Sequence, residues 1–421
     1  ITLIGVIISP ILISFVAPGF IGDDNRFELA ISMLRYTFPY LFFISLTAFA
    51  GSLLNTYGRF AVPAFTPVLL NFVLIFFVLF ISPFLENPGM ALAYGVFCAG
   101  LIQLIFQLPF LSKIKLLPKP RWNITHEGIK RILKLMGPAV FGSSIAQVNI
   151  LVSGIIASLI GTGKISLLYY SDRIMELPLS LFGIAIATVT MPYLSRLYSN
   201  NSMIKFSDAM NWSIKIACML IIPAAIGLFV LAEPIIAAIF YGGMFDSDDV
   251  FLTALSLKAF SIGLIGFSFV KILSPAYFAR KDTLTPVKIG IYCLLLNIIM
   301  GSSSVYYLDK IDYKGTHLGL ALSISVAAIL NAVLLFSGLK KKNIIKRLSG
   351  FKELIIKLLI ANSFMLIFLT YTIQPLEWWL GLGVFKRFSW LAFFIFVSVC
   401  IYVLILSLLG MKIKELRFQE E

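Results

Sequence analysis

The sequence predicts an all-α polytopic membrane protein, and three observations carry that expectation. Hydrophobic residues make up 59% of the 421 residues and charged residues only 13%, against roughly 25% charged in soluble domains. Mean hydropathy is +0.97. The apolar residues fall into runs long enough to cross a bilayer core, which takes about 20 residues. A soluble fold of this size could not hide so much apolar surface. A soluble enzyme, a disordered chain and a nucleic-acid-binding module are therefore excluded. The net charge of +14 reflects basic loops on one side of a membrane.

In chain order the runs lie at 1–17, 30–57, 62–84, 88–112, 130–160, 164–198, 208–232, 250–278, 286–307, 316–338, 353–373 and 388–410, about twelve spans at that length. Glycine and proline occur inside many of them, as packed membrane helices allow. The first run begins at Ile1 with no methionine and no basic flank. It is not a signal peptide and reads as a helix entered partway along.

Every second linker is basic. These linkers carry Lys113, Lys115, Lys119, Arg121, Lys130, Arg131 and Lys134; then Arg196 and Lys205; then Arg280, Lys281 and Lys288; then Lys340, Lys341, Lys342, Lys346, Arg347 and Lys352; and in the tail Lys412, Lys414 and Arg417. That set is assigned to the cytoplasm, which places the C-terminus there. The intervening linkers are short or acidic, with Asp23 and Asp24, Glu86, Asp246, Asp248 and Asp249, and Asp309 and Asp312. Lys386 and Arg387 break the pattern on the outer side.

Chemistry-bearing clusters are sparse. Cys98, Cys218, Cys293 and Cys400 sit apart in apolar runs, a pattern of packing residues rather than disulfides or metal ligands. His126 and His317 lie at the margins of runs, and no metal is expected. No Walker lysine loop, GxSxG or HExxH is present, so no cofactor and no enzyme activity are expected.

Two parts of the chain resemble each other. Ser9-Pro10-Ile11 through Phe20 runs parallel to Glu233-Pro234-Ile235 through Met244. Tyr57-Gly58-Arg59 with Phe65-Thr66-Pro67-Val68 parallels Tyr277-Phe278-Ala279-Arg280 with Leu284-Thr285-Pro286-Val287, and Gln103 parallels Asn331. The offset is nearly constant at about 220 residues. It spans an even number of helices, so both copies share one orientation, as in transporters built from parallel repeats. The second copy begins near Ile129, two and a half spans before its counterpart of Ile1. By that symmetry roughly 90 residues are expected to precede Ile1 in a complete first copy.

An ionisable side chain at bilayer depth costs about 2.5–3.5 kcal/mol on insertion scales and usually faces a wet interior. The densest cluster is Tyr169-Tyr170-Ser171-Asp172-Arg173-Ile174-Met175-Glu176-Leu177-Pro178. Asp172 and Glu176 share a helix face, and Arg173 is three residues from Glu176. Two carboxylates and one arginine cannot all pair one to one. Either a salt-bridge network between helices or a cavity-lining site accounts for them, and the two are compatible. Arg173 is the expected ligand contact, because a guanidinium forks onto phosphate oxygens. Pro178 is expected to kink the helix. Lys271, Lys258 and Arg35 lie near span ends, where snorkelling accounts for them. Arg59 and Arg280 are repeat-equivalent at cytoplasmic helix ends, where capping, headgroup contact or a gate role are open. Asn55 and Asn71 are read as interhelical hydrogen-bonding residues.

Leu53-Leu54-Asn55-Thr56-Tyr57-Gly58-Arg59-Phe60 with Val62-Pro63-Ala64-Phe65-Thr66-Pro67, the stretch Tyr169 to Pro178, and Lys271-Ile272-Leu273-Ser274-Pro275-Ala276-Tyr277-Phe278-Ala279-Arg280-Lys281-Asp282 together resemble the MurJ (MviN) lipid II flippases. That family belongs to the multidrug/oligosaccharidyl-lipid/polysaccharide exporter superfamily, and the resemblance covers essentially the whole chain. It implies fourteen helices, as two six-helix lobes and a C-terminal pair, of which twelve would be present here. It implies a central cationic cavity, with Asp172, Arg173 and Glu176 in the substrate-binding cluster. It also implies that the last two helices line a groove for a polyprenyl tail, and Arg59, Arg280, Lys271 and Asn55 remain the candidates for gate or headgroup contacts. The family's arginines on its first two helices would lie before Ile1.

The corresponding organisation is the remainder of the N-terminal lobe at 1–112, a basic linker at 113–128, the C-terminal lobe at 129–338, a second basic linker at 339–352, the helix pair at 353–410 and a tail at 411–421. The implied function is translocation of undecaprenyl-pyrophosphate-linked peptidoglycan precursor across the bacterial cytoplasmic membrane by alternating access, for cell-wall synthesis. The implied partners are that lipid, membrane lipids and cell-wall synthesis proteins, with no nucleic acid. Exporters of another lipid-linked oligosaccharide or of cationic drugs, a membrane-embedded transferase and a non-transporting scaffold are the alternatives.

Overall fold

In hydrocarbon every backbone N–H and C=O needs a partner within the chain, and a helix supplies one segment by segment. The computed structural model describes residues 2–117, 127, 147–161, 163–345 and 350–411. Among these residues the regular structure is helical, and the single isolated bridge joins Gly242 and Phe245. Ten helices among them are long and apolar enough to cross a membrane: Asn25–Thr56, Ala61–Phe84, Met90–Lys113, Lys164–Ser199, Met203–Val230, Ser247–Phe278, Leu284–Lys310, Leu318–Lys341, Phe351–Thr372 and Val384–Leu408.

These ten coincide with ten of the twelve expected spans. The run at 1–17 differs, because it is split into α1 (Thr2–Ile7) and α2 (Ser9–Val16), with Pro10 in the first turn of α2. Proline has no N–H to continue a helix and is accommodated where a new one starts. Of the run at 130–160, only the short apolar helix α7 (Gln147–Ile160) is described. The expected cytoplasmic residues Lys119, Arg121, Lys130, Arg131, Lys134, Lys346, Arg347, Lys412, Lys414 and Arg417 lie outside the described residues, as does His126.

The chain forms two compact units, Ile1–Pro138 and Ala139–Glu421. In the first, α3 (Asp24–Thr37), α4 (Tyr40–Thr56) and α5 (Ala61–Phe76) pack on α6 (Met90–Lys113). Small residues Ala93, Gly95, Ala99 and Gly100 on α6 let these neighbours approach, and Gln103 and Gln107 are buried with them. Gln107 Nε2 donates to Thr66 Oγ1 at 2.9 Å, and Gln103 Nε2 to the Thr66 carbonyl at 3.1 Å. Such bonds hold membrane helices together where lipid offers no hydrophobic contrast.

The second unit comprises α7, α8 (Lys164–Pro178), α9 (Ala185–Ser199), α10 (Met203–Val230), α11 (Ala232–Phe240), α12 (Ser247–Phe278), α13 (Leu284–Lys310), α14 (Leu318–Lys341), α15 (Phe351–Thr372), α16 (Leu376–Gly381) and α17 (Val384–Leu408). Its hub is α12, the most buried of the ten spans. The hub meets α14 backbone to backbone. A Cβ on Gly266 would stand 2.5 Å from the Ile329 backbone nitrogen, a separation no side chain tolerates.

A shared contact repeats between the units. Arg35 Nε donates to Ser9 Oγ at 3.1 Å, fastening α2 to α3. Lys258 Nζ donates to Glu233 Oε1 at 2.6 Å, fastening α11 to α12. Ser9 and Glu233 are repeat partners, and Arg35 and Lys258 stand at nearly the same offset. The snorkelling expected of Arg35 and Lys258 is thereby corrected, since each is held by a neighbouring helix of its own unit.

Arg387, one of the two outer cations that broke the charge pattern, is 6% exposed. Its guanidinium donates to the carbonyls of Trp379 at 3.1 Å, Ala237 at 3.2 Å, Tyr241 at 3.1 Å and Leu380 at 3.3 Å, and its Cζ lies 4.6 Å from the Tyr241 ring centre. It closes the ends of α11 and α16 against the start of α17. Lys386 beside it is exposed. Arg387→Met should lower the stability of the folded protein by about 2–5 kcal/mol, because buried acceptors left without donors cost about 1–3 kcal/mol each. Thermal unfolding in detergent checks this, and Lys386→Met should unfold like the parent.

Candidate functional site

The rotation of α8 decides what its charged residues face. Leu167, Ser171 and Met175 form a buried stripe four residues apart. Ser171 Oγ donates to the Thr253 carbonyl on α12 at 2.8 Å and lies 2.9 Å from the Leu167 carbonyl of its own helix. With that stripe turned inward, Tyr169, Asp172, Arg173 and Glu176 share a wedge of about 100° on another face, at 3.6 residues per turn.

Within the wedge, Arg173 Nη1 donates to Glu176 Oε2 at 2.6 Å. The side chains of this pair are 52% and 46% exposed. The guanidinium carbon lies 4.7 Å from the Tyr169 ring centre, a cation–π contact. Asp172 is half-buried beside the pair and makes no ion pair among the described residues. The structure thus joins Arg173 to Glu176 directly and leaves the Asp172 carboxylate open. The break expected at Pro178 takes the form of a π-helical turn, Leu179–Ile184, before α9. Such turns are frequent at functional sites.

The remaining candidates divide between the units. Asn55 is exposed in the wall of a cavity of about 620 Å³ in the first unit, with Gly51, Thr66 and Gln103. Lys271 is exposed in the wall of a cavity of about 490 Å³ in the second unit, with Asn149, Ser274 and Asn331. These cavities lie among repeat-equivalent helices, α4, α5 and α6 in one and α12, α13 and α14 in the other. Gln103 and its repeat partner Asn331 each contribute an amide.

Arg59 is exposed at the end of α4. Its repeat partner Arg280 is half-buried, and its Nε and Nη1 are shielded from solvent without a partner among the described residues. Sequence reasoning also passed over a polar trio. Asn297 Nδ2 donates to Asn149 Oδ1 at 2.7 Å, and Ser323 Oγ donates to Asn297 Oδ1 at 2.8 Å. The single polar letters in apolar runs were the available signal. Among the described residues no group of three histidine, cysteine or carboxylate side chains could hold a metal.

Near Arg280, a latch joins the ends of α12, α13 and α14. Tyr277 Oη donates to the Leu335 carbonyl at 2.7 Å. Asp282 accepts from the Thr285 N–H at 3.1 Å, from Thr285 Oγ1 at 2.9 Å and from Lys342 Nζ at 2.8 Å. Desolvation pushes the Asp282 carboxyl up, but the Lys342 and Thr285 hydrogen bonds outweigh it and hold the group below its ordinary 3.8. A carboxyl lowered on folding stabilises fully above its unfolded value and loses that contribution as pH falls through the folded value. Asp282→Asn should therefore lower the unfolding temperature at pH 7, and the gap from the parent should close as pH drops below about 4. Thermal unfolding across pH 3–7 reads this out.

Ten membrane-crossing helices, a contact repeated in two units and a charged, accessible wedge on one helix define a polytopic membrane transporter. The sequence model of the family described as "Lipid II flippase MurJ" matches residues 1–389. A probable lipid II flippase MurJ from Haemophilus influenzae is 41% identical over 396 residues, covering 93% of this chain and 76% of that protein. A solved structure of lipid II flippase MurJ in an inward closed conformation matches with a TM-score of 0.74 at 25% identity, over 97% of this chain and 79% of that one. An inward-facing multidrug resistance MATE family transporter of the MOP superfamily matches with a TM-score of 0.64 at 16% identity, over 84% of this chain and 80% of that one, which shows a common fold. The chain belongs to the lipid II flippase MurJ family, and it is a multi-pass inner membrane protein and a transporter rather than an enzyme.

Proposed function

We propose that this chain translocates lipid II across the inner membrane by alternating access, with Arg173 as the headgroup contact and Asp172 and Glu176 setting its position. The observation that carries the reading is the Arg173–Glu176 pair, 2.6 Å long and half exposed on a helix of a membrane span. A guanidinium in that setting can leave one carboxylate for a pyrophosphate, and its planar fork suits two phosphate oxygens. Asn55 and Lys271, each in a cavity wall, and Arg59 and Arg280 at helix ends are assigned to gate or headgroup contacts. The basic linkers support a cytoplasmic C-terminus. Delivery of precursor to the outer leaflet places cell-wall synthesis proteins downstream as partners.

A second reading follows from Asp172. Two carboxylates and one guanidinium leave the wedge formally one negative charge in excess, which suits a cation, either as a coupling ion or as a drug substrate. Arg173→Ala should reduce lipid II exposure at the outer surface by about tenfold or more, the scale of one lost charge-assisted contact, with precursor accumulating inside and growth failing. Normal growth and normal surface lipid II in that variant would overturn the flippase reading. If cationic drugs are the cargo, Asp172→Asn abolishes drug resistance and Arg173→Ala spares it.

A further inference from the structure

A cavity of about 530 Å³ lies between α10 and the start of α15, apart from the charged wedge. Asp208, Asn211, Trp212, Lys215, Glu353 and Lys357 contribute to its wall. Its depth follows from helix length. The 22 residues of α15 rise about 33 Å at 1.5 Å each, against a hydrocarbon core of about 30 Å. Only about 3 Å is left over, so the start of α15 stands at the edge of the hydrocarbon core, against the headgroups. Lys215 reaches the same level, because a Cβ on Gly350 would lie 3.8 Å from its Nζ. Gly350 sits before α15 with φ +68°, and among the described residues no side chain caps the first amides of the helix.

Among the described residues the wall carries two carboxylates and two ammonium groups, incompletely paired. Lys357 Nζ and Glu353 Oε1 form an ion pair at 2.8 Å. Lys215 and Asp208 have no ion-pair partner among the described residues. Asn211 Oδ1 is shielded from solvent and likewise accepts no hydrogen bond there. A purely anionic ligand would meet Asp208, and a purely cationic one would meet Lys215. A ligand carrying both a phosphate and a primary ammonium satisfies the two together.

We propose that this cavity is a site for a zwitterionic phospholipid headgroup of the phosphoethanolamine type. The phosphate lies against Lys215 and the first amides of α15, and the ammonium lies between Asp208 and Asn211 Oδ1. Trp212 supplies the indole that favours the headgroup boundary. The site is independent of what the chain transports.

The test is lipid binding by the full chain, purified in a neutral detergent and titrated with phosphatidylethanolamine, phosphatidylglycerol or phosphatidylcholine under native mass spectrometry. Phosphatidylethanolamine should bind tightest, since phosphatidylcholine lacks an N–H to donate and phosphatidylglycerol lacks the cation. Lys215→Ala should weaken phosphatidylethanolamine by about tenfold or more, the loss of one charge-assisted hydrogen bond, while Lys215→Arg retains it and both unfold thermally like the parent. Asp208→Asn, at an exposed position, should erase the preference for phosphatidylethanolamine over phosphatidylglycerol. Competition by free phosphoethanolamine would locate the recognition in the headgroup. Equal affinity for phosphatidylglycerol and phosphatidylethanolamine in the parent, undiminished binding in Lys215→Ala, or an intact preference in Asp208→Asn would each overturn the proposal.

Discussion

A charge inside hydrocarbon must be met by something, and that requirement organises this molecule. The cost of leaving one unmet is several kcal/mol on any scale, comparable to a large part of a domain's stability of about 5–15 kcal/mol. Four cations of the membrane-crossing helices and their ends are answered in different ways. Lys258 has a carboxylate, Arg35 a hydroxyl, Arg387 a cage of carbonyl oxygens, and Arg173 a carboxylate together with a tyrosine face. Three of these four answers serve packing. The fourth is accessible, and it is the one the transport reading uses.

Packing and site are coupled through α12. Close approach at Gly266 draws α14 onto the hub, and the Ser171 hydroxyl sets the angle at which α8 lies on it. The rotation of α8 decides which way the face with Asp172, Arg173 and Glu176 points. The setting of the wedge is thus a consequence of small residues on α12 and of one hydroxyl on the opposite face of α8. The π-helical turn after Pro178 adds to this, because its wider winding shifts the register of α9 relative to α8.

The span pattern was legible because about 20 apolar residues have one stable arrangement in a bilayer. The break before Pro10 was less so, since an apolar run does not reveal where its hydrogen-bond ladder restarts. The Asp172–Arg173–Glu176 wedge could be read from helical spacing, but which carboxylate would hold the guanidinium could not, because both lie within its reach and the choice rests on side-chain rotamers. Lys258 was misread because its partner Glu233 lies 25 residues away and meets it only once α11 has folded back. The repeat held the missing clue, as Ser9 and Arg35 form the same staple at nearly the same spacing. Lys215 sits within an otherwise apolar run, and its setting depends on α15, more than a hundred residues further on.

Arg387 also has a mechanical meaning. Its four carbonyl contacts tie the start of α17 to α16 and to the end of α11, two to each, and Tyr402 Oη donates to the Met219 carbonyl of α10 at 2.7 Å to give a second fastening on the same unit. With two bolts at separate points, α17 is braced against swivelling on the second unit. During a rocking cycle it would travel as an outrigger with that unit, so the surfaces it shares with α10 and α11 would keep their shape whichever way the transporter is open.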